Sequence, residues 1–332
     1  MCEIPSELAI FPMIPIDPVR YPKLVVALGG NALIRPDEPG TLEEQRHRIR
    51  LAMAHTADLV TCGFATVITH GNGPMVGRLL LQMECARDTV PPMPLFICDA
   101  DSEGALGFLI QQGLVNELHR RGQERGVATV ITQVLVAADD PAFSAPDKPI
   151  GPFYPAAEAG RLQTERGWQI MEDAGRGWRR VAPSPRPVTI IEQDIISYLV
   201  RGGIIVIAAG GGGVPVIRLP DGDLMGVEAV IDKDRAAAVL AREISAELLI
   251  FLTAVDYAYL DYLTAAQRPL TAVTGAEAHK YLREGHFAPG SMGPKIEAAV
   301  NFLAQGGRRV LITQPETLAE ALQGRTGTHI FP

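Results

Sequence analysis

No apolar run in this 332-residue chain approaches the ~20 residues that a membrane-spanning helix needs. The opening Met1-Cys2-Glu3-Ile4-Pro5 has neither a basic region nor an uninterrupted apolar stretch, so a cytoplasmic protein is expected. Cysteine is scarce: Cys2, Cys62, Cys85 and Cys98 form no C-x-x-C pair and are widely spaced, which fits reduced thiols and not a disulfide framework. The seven histidines show no H-E-x-x-H or comparable spacing, so no protein-borne transition-metal site is expected. Positive charge is also in deficit. A formal net charge of −8 argues against a nucleic-acid partner, because such binding is driven by basic surface. Both common nucleotide signatures are missing too: there is no G-x-x-x-x-G-K-[ST], and no G-x-G-x-x-G with a ribose-binding acid at the usual offset. A P-loop enzyme and a nicotinamide dehydrogenase are thereby disfavoured.

What remains is a chain that is 47% apolar and 20% charged, ample for one large or two closely joined domains. Residues 1–22 hold Pro5, Pro12, Pro15, Pro18 and Pro22 and read as an extension lying on the body of the protein. Short, uniformly apolar runs then recur at Leu24–Leu28, Ala65–Thr69, Ala128–Val136, Ile204–Ala208, Leu248–Leu252 and Arg309–Thr313, as expected of strands buried on both faces. Helical patterns at 43–62, 76–87, 103–121, 192–201, 234–245, 294–305 and 316–323 lie between them. The alternation predicts an α/β fold with a largely parallel sheet. One stretch interrupts it: 138–187 carries eight prolines and both tryptophans, and is expected to form a small protruding subdomain or lid.

Two lysines occupy unusual places. Lys233, in Asp232-Lys233-Asp234, and Lys295, in Gly290-Ser291-Met292-Gly293-Pro294-Lys295, each open a helical pattern. A helix N-terminus carries roughly half a positive charge, so a cation there is disfavoured by ~0.3–1 kcal/mol unless an anion faces it. Two such lysines together point to phosphate, the less favoured alternative for either one alone being an ammonium that reaches into solvent. Glycine loops follow three strands, at Gly29-Gly30-Asn31, His70-Gly71-Asn72-Gly73-Pro74 and Gly210-Gly211-Gly212-Gly213-Val214-Pro215. Glycines at such junctions let backbone N–H groups approach an anion closely. Any one of these loops fits plain chain reversal as well.

These segments resemble the carbamate kinase family, within the amino acid kinase superfamily. The resemblance runs from about residue 23 to the C-terminus through Val25–Leu33, His70–Pro74, Lys148–Phe153, Glu172–Arg179, Gly210–Pro215, Gly226–Asp234 and His286–Lys295. It implies a three-layer αβα sandwich with a largely parallel central sheet, the amino acid kinase fold. The lobe 23–218, with its protruding subdomain 138–187, would bind the phosphoryl acceptor, and the lobe 219–332 would bind the nucleotide. It further implies a homodimer using ATP or ADP and Mg2+ to interconvert ATP plus carbamate with ADP plus carbamoyl phosphate, often toward ATP in the breakdown of nitrogen compounds.

By resemblance Lys148, Lys233, Asp234 and Lys295 would be catalytic, with Asp232 a weaker candidate for the same network or for magnesium. Gly29, Gly30, Asn31, Gly71, Asn72 and Gly73 would cradle the acceptor. Gly211, Gly212, Lys233, Thr253, Val255, Asp256, Tyr257, Met292, Gly293 and Lys295 would bind the nucleotide, Tyr257 fitting core packing equally.

Two positions depart from the family. Met75 stands where it usually has glutamine after Gly-Asn-Gly-Pro, and Glu103 where it usually has glutamine in a Ser/Thr-Gln-Gly step. An acid at the start of the helix expected over 103–121 suits the helix dipole. Facing the acceptor it would instead repel an anion and favour another small substrate, and a dimer-interface position is a third reading. A nucleotide-binding regulator without catalysis is the remaining alternative, weakened by the intact lysines.

Overall fold

The computed structural model describes residues 15–30, 40–173, 175–288 and 290–332. Its centre is an eight-stranded sheet with the spatial order Ala272–Thr274, Thr328–Phe331, Arg309–Thr313, Leu248–Leu252, Lys23–Leu28, Ala65–His70, Ile205–Ile207 and Val127–Thr129. All neighbours pair in parallel except Arg309–Thr313 with Thr328–Phe331. The apolar runs alternate across it, as the period of two demands. Val25, Ala27, Leu249 and Phe251 face one core with the helices Lys233–Glu243 and Met292–Ala304, whereas Leu24, Val26, Leu28 and Ile250 face another with the helices Leu42–Thr61 and Leu95–Arg120. The result is the three-layer αβα sandwich. No described helix is long and apolar enough to cross a membrane.

The proline-rich stretch folds as a three-stranded antiparallel sheet, ordered Lys148–Tyr154, Trp178–Ala182 and Ile170–Glu172, with the helix Ala156–Arg166. A four-stranded sheet of Leu224–Gly226, Val214–Arg218, Gln133–Val136 and Pro187–Ile190 adjoins it in sequence. Here the sequence reading needs correction. The apolar run 128–136 is two strands in two sheets, Val127–Thr129 and Gln133–Val136, because the chain passes from one sheet to the other over 130–132 while remaining apolar on either side.

A second correction matters more for function. The helix expected from 103 starts at Leu95, just after Pro94, so Glu103 lies two turns inside it and caps nothing. At 1% exposure it is no surface interface residue either. Likewise Met292, not Pro294, opens the helix that carries Lys295.

Candidate active site

Helix Lys233–Glu243 begins where the strand ends of the central sheet converge. Its N-cap is Asp232, whose Oδ1 accepts the N–H of Asp234 at 3.0 Å and of Arg235 at 3.3 Å. The other carboxylate oxygen, Oδ2, accepts from Lys148 Nζ at 2.9 Å, a contact between residues 84 apart in sequence. Burial pushes the Asp232 carboxyl up, but Lys148 and Lys233 outweigh it and hold the group at about 2. Asp234, only 3% exposed, sits between two ammonium groups: Lys233 Nζ at 2.8 Å from Oδ1 and Lys295 Nζ at 3.0 Å from Oδ2. Burial and the neighbouring Lys233 charge lower the proton affinity of Lys295. For Lys233, burial acts downward and the Asp234 contact more than offsets it.

The four residues expected to be catalytic are thus one connected network with Asp232: three ammonium groups on two carboxylates. The surplus is one positive charge in a protein whose formal charge is −8. Buried charges are tolerated when paired and hydrogen-bonded, and a cationic surplus attracts an anion to the remaining open side.

The glycine loops meet beside this network. Gly71 approaches Gly30 so closely that a Cβ on Gly71 would lie 2.9 Å from the Gly30 Cα and 3.1 Å from Lys233 Cδ. The stem of Lys233 therefore lies against Gly71, where the two loops approach each other. Asn72 is 5% exposed, and its Nδ2 donates to Ser102 Oγ at 2.8 Å. Asn31 falls outside the described residues. On the other side of Lys233 opens a cleft of about 900 Å³. Thr253, Val255, Tyr257, Met292, Lys233 and Lys295, expected at the nucleotide, line it together with Gly29 and Gly30, expected at the acceptor.

Other expected contacts sit elsewhere. Asp256 is off the cleft wall and accepts the hydroxyl of Tyr259 at 2.7 Å. Gly293 packs under the wall, its N–H donating to Ala288 O at 3.1 Å. Gly211 and Gly212 are also off the wall: an added Cβ would meet the Asn72 side chain at 2.1 Å from Gly211 and Ile231 O at 2.4 Å from Gly212. Gly211 thus lies beside Asn72 and Gly212 beside Ile231. The sequence reading missed Tyr259, Tyr262, His286 and Gln314, which complete the cleft. The tyrosines form an aromatic ladder, with Tyr257 and Tyr259 edge to face at 6.1 Å and Tyr259 and Tyr262 at 5.8 Å. The Tyr-x-Tyr-x-x-Tyr spacing after an apolar strand was the available signal. Among the described residues, no three His, Cys, Asp or Glu side chains are grouped to hold a metal ion.

The chain matches the amino acid kinase family over residues 22–314. It is 49% identical over 312 residues to carbamate kinase of Pyrococcus furiosus, spanning 93% of this chain and 99% of that one. Escherichia coli carbamate kinase-like protein YahI is 45% identical over 311 residues, or 93% and 98% of the two chains. Among solved structures, carbamate kinase from Giardia lamblia bound to AMP-PNP superimposes with a TM-score of 0.88 at 38% identity, covering 94% of this chain and 98% of that one.

Proposed function

The chain belongs to the amino acid kinase family, and from that premise we propose that it works as a carbamate kinase, moving a phosphoryl group reversibly between ATP and carbamate. The single observation that carries the reading at this site is the network in which Asp232 and Asp234 gather Lys148, Lys233 and Lys295 at the junction of the cleft and the glycine loops.

In the direction of ATP breakdown, the bond from the γ-phosphorus to the oxygen bridging it to ADP breaks, and a carbamate oxygen forms the new bond. Carbamate is already an anion, so no residue must remove a proton. Charge spreads over the equatorial oxygens of the transferring group, and its neutralisation is the main catalytic task. Lys233 suits contact with that group, because its stem lies against Gly71 and its side chain also lines the cleft. Lys295, on the cleft side, is placed to bridge nucleotide phosphates. Lys148 comes from the protruding subdomain and adds the third charge from the lid side. Gly29, Gly30, Gly71, Asn72 and Gly73 form the acceptor side, and we add Gly211 to it on the strength of its position against Asn72.

Mg2+ enters on the nucleotide in this reading. Such an ion is typically held by substrate phosphates, waters and one or two carboxylates. Asp232 and Asp234 already accept from three lysines, so the phosphates are its main ligands and its contribution is further charge neutralisation. We place the reaction in the cytoplasm and take the working unit to be a homodimer. Phe108 and Val115, 56% and 43% exposed at i and i+7 of one helix, with Ile131 at 44%, support an apolar contact face.

The acceptor is tested by coupled assay of ATP formation from ADP with carbamoyl phosphate or acetyl phosphate as donor. The expected kcat/KM is at least about 100-fold higher for carbamoyl phosphate, since a site built to hydrogen-bond the amino group loses pairing with the methyl analogue. Equal values, or activity with neither donor while ADP still binds, would point to another acceptor.

A further inference from the structure

Glu103 is 1% exposed and off the cleft wall, and each oxygen of its carboxyl group accepts a backbone N–H. Oε1 accepts the Gly210 N–H at 2.9 Å and Oε2 accepts the Thr132 N–H at 3.1 Å. Burial pushes its carboxyl up to about 8, against the pull of those backbone donors. A buried acid is costly unless it is hydrogen-bonded, and the partners of this one are two backbone donors. What it holds is the glycine loop that follows the strand Ile205–Ile207.

That loop is conformationally demanding. Ala209, Gly211, Gly212 and Gly213 all have positive φ, at 51°, 72°, 108° and 80°. Its N–H groups are nearly all used internally: Ala209 donates to Thr132 Oγ1 at 2.9 Å, Gly210 to Glu103, Gly212 to Ala209 O at 3.1 Å, Gly213 to Gly210 O at 3.0 Å and Val214 to Thr132 O at 2.8 Å. From Ala209 to Val214, the Gly211 N–H alone has no hydrogen-bond partner among the described residues. Gly211 is also the residue pressed against the Asn72 amide. Asn72 in turn is oriented by Ser102, which accepts from its Nδ2 at 2.8 Å and donates to Asp99 O at 2.8 Å. Two consecutive residues of one helix therefore set the two halves of a donor pair, Ser102 the side chain of Asn72 and Glu103 the loop bearing the Gly211 N–H.

We propose that Glu103 is a positioning residue for the phosphoryl acceptor, holding the glycine loop so that the free Gly211 N–H and the Asn72 amide together receive the carboxylate of carbamate or the carbonyl oxygen of carbamoyl phosphate. This rests on the carbamate kinase reading above. Glutamate suits the task because two backbone donors converge on it. A glutamine offers one carbonyl oxygen and turns an NH2 group toward the other N–H.

The test is steady-state ATP formation by the wild type, Glu103→Gln and Glu103→Ala, with carbamoyl phosphate and ADP varied separately and thermal unfolding recorded alongside. One buried N–H left facing a donor, and then two left unpaired, predict a graded loss. We expect the KM for carbamoyl phosphate to rise by about 5-fold in Glu103→Gln and by about 50-fold in Glu103→Ala, with the KM for ADP within about twofold of wild type in both. Should Glu103→Ala fail to fold, the isosteric Glu103→Gln decides alone. Unchanged KM values, or equal rises for both substrates, would overturn the positioning role while leaving the kinase reading intact. Failure of the wild type itself to make ATP from carbamoyl phosphate would overturn both.

Discussion

Lys233→Ala is expected to lower kcat for ATP formation by about 10³-fold while changing the KM for ADP by less than about threefold; single donors or cations acting on transition-state charge are worth this much in comparable sites. The expectation follows from where the side chain lies. Its stem packs on the Gly30–Gly71 approach, its ammonium is fixed by Asp234 at 2.8 Å, and it lines the nucleotide cleft. A group so placed meets the transferring phosphoryl more than it meets the nucleoside. Asp234 retains Lys295 in the variant, so folding should survive nearly unchanged. Steady-state kinetics with thermal unfolding on the same preparation checks both halves. A large rise in the KM for ADP with kcat preserved would make Lys233 a nucleotide-binding residue only.

Asp234→Asn carries the second large effect, and it falls on stability as well as on rate. Asp234 is 3% exposed and is the shared acceptor of Lys233 and Lys295. Asparagine keeps the shape but removes the charge, leaving two ammonium groups beside each other with only a neutral oxygen between them. Breaking a buried pair from one side typically costs about 3–5 kcal/mol. The variant should therefore unfold at a clearly lower temperature than the wild type. Saturating ATP should recover part of that loss, because its phosphates supply the missing negative charge to the same lysines. Turnover should fall by about 10²-fold or more as both lysines lose their fixed orientation. Unfolding at the wild-type temperature without ligand would show that Asp234 is not the anchor of the network.

Some of this was legible in the amino-acid order and some was not, for physical reasons. Strands buried on both faces must be apolar throughout, so Leu24–Leu28 and Leu248–Leu252 stand out against their flanks. Three-residue strands such as Ala258–Leu260 and Ala272–Thr274 are too short to show a period. Lys233 and Lys295 were visible because a cation near a helix start violates the dipole preference, whereas Lys148 was marked only by the family resemblance. The Lys148–Asp232 pair was not visible, because nothing local links residues 84 apart.

Glu103 was misread for a definite reason. The Asp101-Ser102-Glu103 step has the composition of a helix start, whereas the helix begins at Leu95 behind Pro94, in a segment with no polar cap. Composition suggested a capping acid; three-dimensional placement made it an acceptor for two distant N–H groups, 29 and 107 residues away. Gly211 shows the same limit. Its sequence announces a loop able to approach an anion, but only the fold brings it against Asn72, on which its proposed place at the acceptor rests.

The central claim is that this network transfers a phosphoryl group between carbamate and ADP. The most direct measurement is ³¹P NMR of a single sample containing the protein, Mg2+, ADP and carbamoyl phosphate. The carbamoyl phosphate resonance is expected to fall and the γ-phosphate resonance of ATP to rise at the same initial rate, with inorganic phosphate growing only at the rate of the protein-free control. Loss of carbamoyl phosphate to inorganic phosphate without ATP, or no enzyme-dependent change while ADP is shown to bind, would contradict that claim.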